Sequence, residues 1–299
     1  MKTPTLGLLF CLVVAMGAGC TTLLPTSLAL FPKDLPATDV DLIAGSTIQL
    51  EQTAINPLER LNQQPVRTLD VQAWEPGAKV TMAWSETYTQ ETAESIEART
   101  AAEHANPVGE EPKVPEPVYE TVSLQGSITT DALDDGQRIM LPSEWSDLNH
   151  DLAGGSNTVI WLSKVQYEEL TATRHTHLSI GVLDAGLQTA ADAAAAVKAF
   201  IAKISGSNYA GSVSDQAVTE LVASAEWGSY TLMYAGKKVK VQTIEAENKF
   251  ASYVILANPD NPLILEVELK SWAYGTEALG LISDDLQVAG YSIKSITTP

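Results

Sequence analysis

Short runs of alternating apolar and polar side chains, punctuated by turn residues, constrain this chain more than any other feature. They are clearest in the last third. Residues 230–234 and 239–244 alternate on either side of Ala235-Gly236-Lys237-Lys238 and predict a hairpin. Residues 250–256 and 263–269 predict a second hairpin around Ala257-Asn258-Pro259-Asp260-Asn261-Pro262, because Pro and Asn preset turn geometry and cannot continue a strand. A final strand is expected over 287–296.

The same signal recurs upstream. Residues 39–44 and 47–51 alternate, split by Gly45-Ser46, and 66–74, 78–88 and 119–128 follow. Residues 138–142 add a short run, and 158–163 are continuous and apolar, as in a strand buried on both faces. A helical turn or two over 164–171 precedes a strand over 175–182. Many short strands with turn signals between them give a mainly β fold, an antiparallel sandwich or open barrel. One long amphipathic helix is expected within it, over 184–204: Leu187, Ala191, Ala194, Val197, Ile201 and Ile204 recur at steps of three or four.

Residues 86–120 break the pattern. They hold nine Glu against one Arg and one Lys, with prolines at 107, 112, 115 and 117. A short helix over 91–104 has too little apolar content for a core face, and low hydrophobicity with high charge argues for a solvated insertion, about 89–118. It is either a break between two parts of the fold or an insertion between neighbouring strands.

The N-terminus has a different grammar. One basic residue, Lys2, is followed by an apolar run over 6–16, then Gly17-Ala18-Gly19 and Cys20. This is the layout of a secretory signal, and the run falls well short of the roughly 20 apolar residues needed to cross a bilayer. Gly17-Ala18-Gly19-Cys20 resembles the lipobox of bacterial lipoproteins, with Gly17 where that family usually carries Leu. The resemblance implies a signal peptide over 1–19, lipidation of Cys20 and a lipid-to-domain tether over 20–38, with a globular domain over 39–299. It also implies a cell-envelope address, and Thr21, where Asp would resemble the inner-membrane retention signal, favours the outer membrane. The cysteine count agrees. Cys11 lies inside the apolar run, so Cys20 is the one thiol left after processing, and structural disulfides are excluded.

Eighteen basic against 37 acidic residues give a formal charge of −19. Such a chain repels phosphate backbones, so nucleic acid is excluded as a partner. The expected partners are the membrane, through the N-terminal lipid, and an envelope protein or small ligand.

Chemistry-bearing constellations are few. His175 and His177 stand two apart in a predicted strand, so both leave one face, a spacing that metal sites use when a third ligand joins them. Asp147, Asn149 and Asp151 alternate as in the first half of an EF-hand loop, but Leu152 stands where that loop needs Gly and Thr158 where it needs Glu. No nucleophile elbow, zinc-protease helix or phosphate loop is present. Six tryptophans, at 74, 84, 145, 161, 227 and 272, are read first as core and only second as a sugar-stacking surface. No cofactor is expected. The sequence favours a non-enzymatic binding or structural role over its alternative, a metal-dependent or hydrolytic enzyme using His175 and His177.

Overall fold

The computed structural model describes residues 40–54, 66–104, 114–142, 145, 149–180, 220–248, 251–270 and 288–299. Cys20, the tether, the expected helix over 184–204, Asp147 and Trp272 lie outside the described residues.

Two antiparallel meanders carry the fold. The first runs β1 (Thr47–Ala54), β2 (Val66–Glu75), β3 (Lys79–Glu91) and β4 (Tyr119–Thr130). The second runs β10 (Glu220–Tyr234), β11 (Lys237–Glu247), β12 (Ala251–Leu256) and β13 (Ile264–Leu269). The last strand, β14 (Val288–Thr297), lies between them, pairing with β1 on one side and β13 on the other. Among the described residues the result is an 11-stranded sheet, edged by β6 (His150–Asp151) beside β4 and β8 (His175–His177) beside β10. The end of β10 also returns to β14, Met233 opposite Ser295 and Tyr234 opposite Ile296. A small parallel sheet of β7 (Asn157–Thr158), β5 (Arg138–Ile139) and β9 (Ser179–Ile180) stands apart.

The expected hairpins form. Ala235 and Gly236 both take positive φ, 47° and 76°, the two-residue turn whose twist matches right-handed strands. The acidic segment is an insertion between neighbours, not a break: β3 and β4 pair from Val80–Thr130 out to Glu91–Tyr119. The strands run on past residue 88 into that segment, and a helix, α1 (Ala93–His104), caps the ladder.

Two sequence expectations are corrected. Residues 40–44 form no strand although they alternate, because the Ser46 side chain takes the Ile43 N–H and Gly45, at φ +91°, turns the chain so that its N–H meets Val71 O. Val40 and Leu42 are nonetheless buried, as their apolar character requires. Residues 158–163 are buried throughout, yet only Thr158 belongs to a strand. The rest cross from the small sheet to the second hairpin, where Trp161 bridges Leu263, the Leu162 N–H donates to Pro262 O and the Ile264 N–H to Ile160 O.

Core side chains line one face of the sheet, among them Ile48, Leu69, Met82, Ile128, Tyr253 and Tyr291. Trp84, Trp145 and Trp161 lie buried in that core, and Trp74 and Trp227 pack against its margin. The Trp161 Nε1–H donates to Asn261 Oδ1 at 2.8 Å, and the Asn261 amide in turn donates to Val40 O at 2.9 Å. The tryptophan thus holds three distant segments together.

One polar group is embedded among them. Arg67 on β2 meets Glu86 on β3, Nη2 to Oε2 at 2.6 Å and Nε at 2.8 Å, and Gln52 Nε2 donates to the same oxygen at 2.8 Å. Arg67 Nη1 donates to Pro142 O, and the guanidinium carbon lies 4.4 Å from the Trp84 ring centroid and 5.4 Å from that of Trp145. Gly126 makes room for the indole: a Cβ there would stand 2.8 Å from the Trp84 ring.

Candidate functional site

The second helix, α2 (Lys164–Thr173), positions the elements around the site. Ser163 caps it, accepting from Gln166 N, while the Gln166 side chain returns to the Ser163 N–H. Gln166 Nε2 then donates to His177 O at 2.6 Å and fixes β8 beneath the helix. Arg174 ends the helix with φ 69°, its N–H on Leu170 O at 3.0 Å. A non-glycine residue in this conformation is strained and persists where its surroundings hold it. Here Ala223 does so: Arg174 Nε and Nη2 donate to Ala223 O at 3.0 and 2.8 Å, and the Ala223 N–H donates to Arg174 O at 2.8 Å.

Immediately after Ala223 the β10 ladder slips. Ala223 pairs with Ala246 but the next pair is Trp227 with Ile244, so residues 224–226 bulge out of register. Ser224 Oγ holds the bulge, accepting from Glu226 N and donating to Glu226 O, both at 3.3 Å. Bulges bend a strand and re-aim its side chains, and they are common beside binding sites.

Between Arg174, the bulge and β11–β12 lies a concavity of about 520 Å³, lined by Arg174, Val222, Ser224, Glu245, Glu247 and Tyr253 among others. That falls within the roughly 300–1,000 Å³ of small-ligand sites. Its charges divide by partner. Glu247 is engaged by Lys270 at 2.8 Å. Among the described residues, neither Arg174 Nη1 nor the Glu245 carboxylate has a hydrogen-bond partner. Glu245 lies against Gly228, where a Cβ would stand 2.5 Å from Oε1, so glycine gives the carboxylate its resting place. Burial pushes the Tyr253 phenol well above its usual range, against a lowering contribution from its hydrogen bond with Asn248. It stays protonated and serves as an apolar wall with a satisfied hydroxyl, receiving Asn248 Nδ2 at 3.1 Å.

None of the sequence-derived candidates lines this groove: the histidines lie on β8, paired with β10, and Asn149 and Asp151 lie beside β4 at the other end of the strand order. His175 and His177 do leave one face of β8, exposed, with Thr176 buried between them and donating to Glu169 Oε2 at 2.7 Å. His175 Nδ1 sits 2.9 Å from Glu220 Oε1. Among the described residues no three His, Cys, Asp or Glu side chains converge so as to hold a metal ion. Asn149 Oδ1 accepts from Ser127 Oγ at 2.9 Å, and Asp151 Oδ1 accepts from Ala153 N at 3.1 Å, an Asx turn. Each of the two serves its own local structure.

Arg174, Ser224 and Glu245 were not legible as site residues beforehand. The one sequence signal is negative: alternation fails across Ser224-Ala225-Glu226-Trp227-Gly228, where the bulge lies. Comparison with family models, with curated proteins and with solved structures gives no match.

Proposed function

We propose that this chain is a lipid-anchored cell-envelope protein that acts by binding, with the Arg174–Glu245 groove taking a small ligand that carries both a cationic and an anionic group. One observation carries the ligand reading: a concavity bounded by paired strands in which a carboxylate and a guanidinium nitrogen both lack partners among the described residues. The lipid reading rests on Cys20 and the small residues before it, and the return of β10 to β14 supports an open barrel over a sandwich. The histidine alternative has less behind it, since His175 already faces Glu220.

Thermal unfolding of the full chain against free amino acids, and against their amidated and acetylated forms, tests the groove. A ligand that binds the folded state raises the midpoint. The expected result is a rise with a doubly charged compound, lost when either charge is blocked and lost in Glu245→Gln. A rise unchanged in Glu245→Gln, or none with any compound, would overturn the assignment. Cell fractionation of Cys20→Ser tests the anchor separately: the protein should leave the membrane fraction, and normal cleavage with continued membrane binding would refute lipidation.

A further inference from the structure

The turn of the β10–β11 hairpin carries a surface that the groove does not use. In a chain of formal charge −19, Lys237, Lys238 and Lys240 stand almost together just past Gly236. All three are exposed, and among the described residues their side chains have no ion pair or hydrogen-bond partner. The register fixes how they point. Lys237 stands opposite Tyr234, Lys238 opposite Met233 and Lys240 opposite Thr231, and residues directly opposite each other leave the same face. Lys238 and Lys240 therefore share a face with Met233, which is 41% exposed, and Lys237 leaves by the other face with Tyr234. The hairpin is basic at this turn and acidic at its root, where β10 begins at Glu220 and β11 ends with Glu245 and Glu247.

The chain leading back to Cys20 departs from the domain at this same turn. The Tyr234 hydroxyl accepts from Asp41 N at 3.2 Å and donates to Asp41 O at 3.3 Å. Val40 O in turn accepts from Asn261 Nδ2 at 2.9 Å, in the loop between β12 and β13. Asp41 and Asp260 are the exposed acids on these two segments.

We infer that the hairpin turn rests on an anionic bilayer surface, with Lys237, Lys238 and Lys240 on lipid phosphates and Met233 at the headgroup boundary. The inference builds on the lipid anchor proposed at Cys20. The 20 residue steps from Cys20 to Val40 reach at most roughly 70 Å, so the anchor alone leaves orientation open and charge decides it. An anionic leaflet repels the acidic root and attracts the lysines. A second copy seated on the turn would set lysines against lysines.

The test binds the full chain, purified from membranes, to vesicles of phosphatidylcholine alone or mixed with phosphatidylglycerol. The acetylation rate of each lysine is then read by peptide mass spectrometry. The internal control is Lys270, bound to Glu247 at the far end of β11. The expected result is that Lys237, Lys238 and Lys240 react roughly fivefold more slowly on the anionic vesicles, while Lys270 reacts alike on both. Salt at about 1 M, which shortens the screening length to about 3 Å, should remove the difference. A chain that does not float with neutral vesicles would refute the anchor, and the inference with it. A chain that floats but labels its lysines alike on both vesicles would overturn the orientation alone. Equal slowing at Lys270 would overturn it too. So would equal protection by a polyglutamate peptide in solution, which would assign the lysines to an acidic protein partner.

Discussion

Arg67–Glu86 and His175–Glu220 both join a cation-forming group to a carboxylate on a neighbouring strand, at 2.6 and 2.9 Å, in opposite surroundings. The first pair has side chains 5% and 2% exposed, the second 54% and 45%. Arg67 lies against two indoles and Glu86 also receives Gln52, so water is excluded and hydrogen bonding falls to protein groups. His175 and Glu220 remain open to solvent, where screening and side-chain entropy leave such a pair little net stability. The contrast separates framework from surface. The buried pair locks β1, β2 and β3 to the segment around Pro142, and the exposed one decorates an edge that Gln166 and the pairing with β10 already hold.

The sharpest way to break the comparison is to remove one partner from each pair. Stranding a buried charge costs on the order of 3–5 kcal/mol, against gains near zero when both partners become apolar. Glu86→Leu should therefore lower unfolding free energy by about 3–5 kcal/mol, leaving Arg67 without its counter-charge. Arg67→Met/Glu86→Leu should recover most of that loss. Denaturant titration measures both, and a double variant as unstable as the single would show that shape, not charge, governs the site. Under the same titration, the reciprocal variant Glu220→Leu should cost under about 1 kcal/mol.

Much of the framework was legible from residues in sequence, and the reasons for the exceptions are specific. The hairpins at Ala235-Gly236 and around Pro259 follow local rules, turn chemistry joined to alternation, and they formed. The pairing of β1 with β14 joins Thr47 to Thr297 across almost the whole chain, and no local pattern encodes such a partner. Residues 40–44 satisfied alternation through burial of Val40 and Leu42 alone, because a loop plugged into a core meets the same test as a strand. The groove was hidden for a different reason. It depends on a bulge held by Ser224 on Glu226 and on a left-handed arginine bonded to Ala223, 49 residues away in sequence. Burial of Arg67 was equally invisible, since Arg is almost never fully buried unless paired and its partner lies 19 residues on.

The β3–β4 ladder and its helix α1 offer a contrast on a smaller scale, because their ion pair lies between those extremes. Glu91 pairs with Arg99 at 2.8 Å, with side chains 15% and 36% exposed. The Ser95 hydroxyl bond, reinforced by Arg99, holds the Glu91 carboxyl below its ordinary range, against a raising contribution from burial. A carboxylate with a lowered folded-state pKa stabilises the fold above the unfolded value, about 4.3, and that contribution is lost as pH falls through the lower folded value. The helix should therefore stay docked at neutral pH and loosen on acidification below about 4, while the core strands persist. Backbone NMR through an acid titration would show it, with Glu91→Gln loosening the helix already at neutral pH. A helix still protected from amide exchange in Glu91→Gln would assign its docking to the Thr92–Val118 backbone bond instead.

The smallest effect is expected at β8, and it bears most directly on what the histidines do. His175→Ala removes a partner of Glu220 that is more than half exposed, so stability should change by no more than about 1 kcal/mol. The groove should be untouched, because Arg174 is held by Ala223 and not by His175. Metal analysis of the purified chain sharpens the point. Should stoichiometric zinc or copper accompany the protein and vanish in His175→Ala/His177→Ala, a third ligand must come from outside the described residues, and the surface pair would be half of a metal centre. Should the double variant keep both its stability and its ligand binding with no metal in either form, the exposed pair is an edge feature, and the functional weight moves wholly to Arg174 and Glu245.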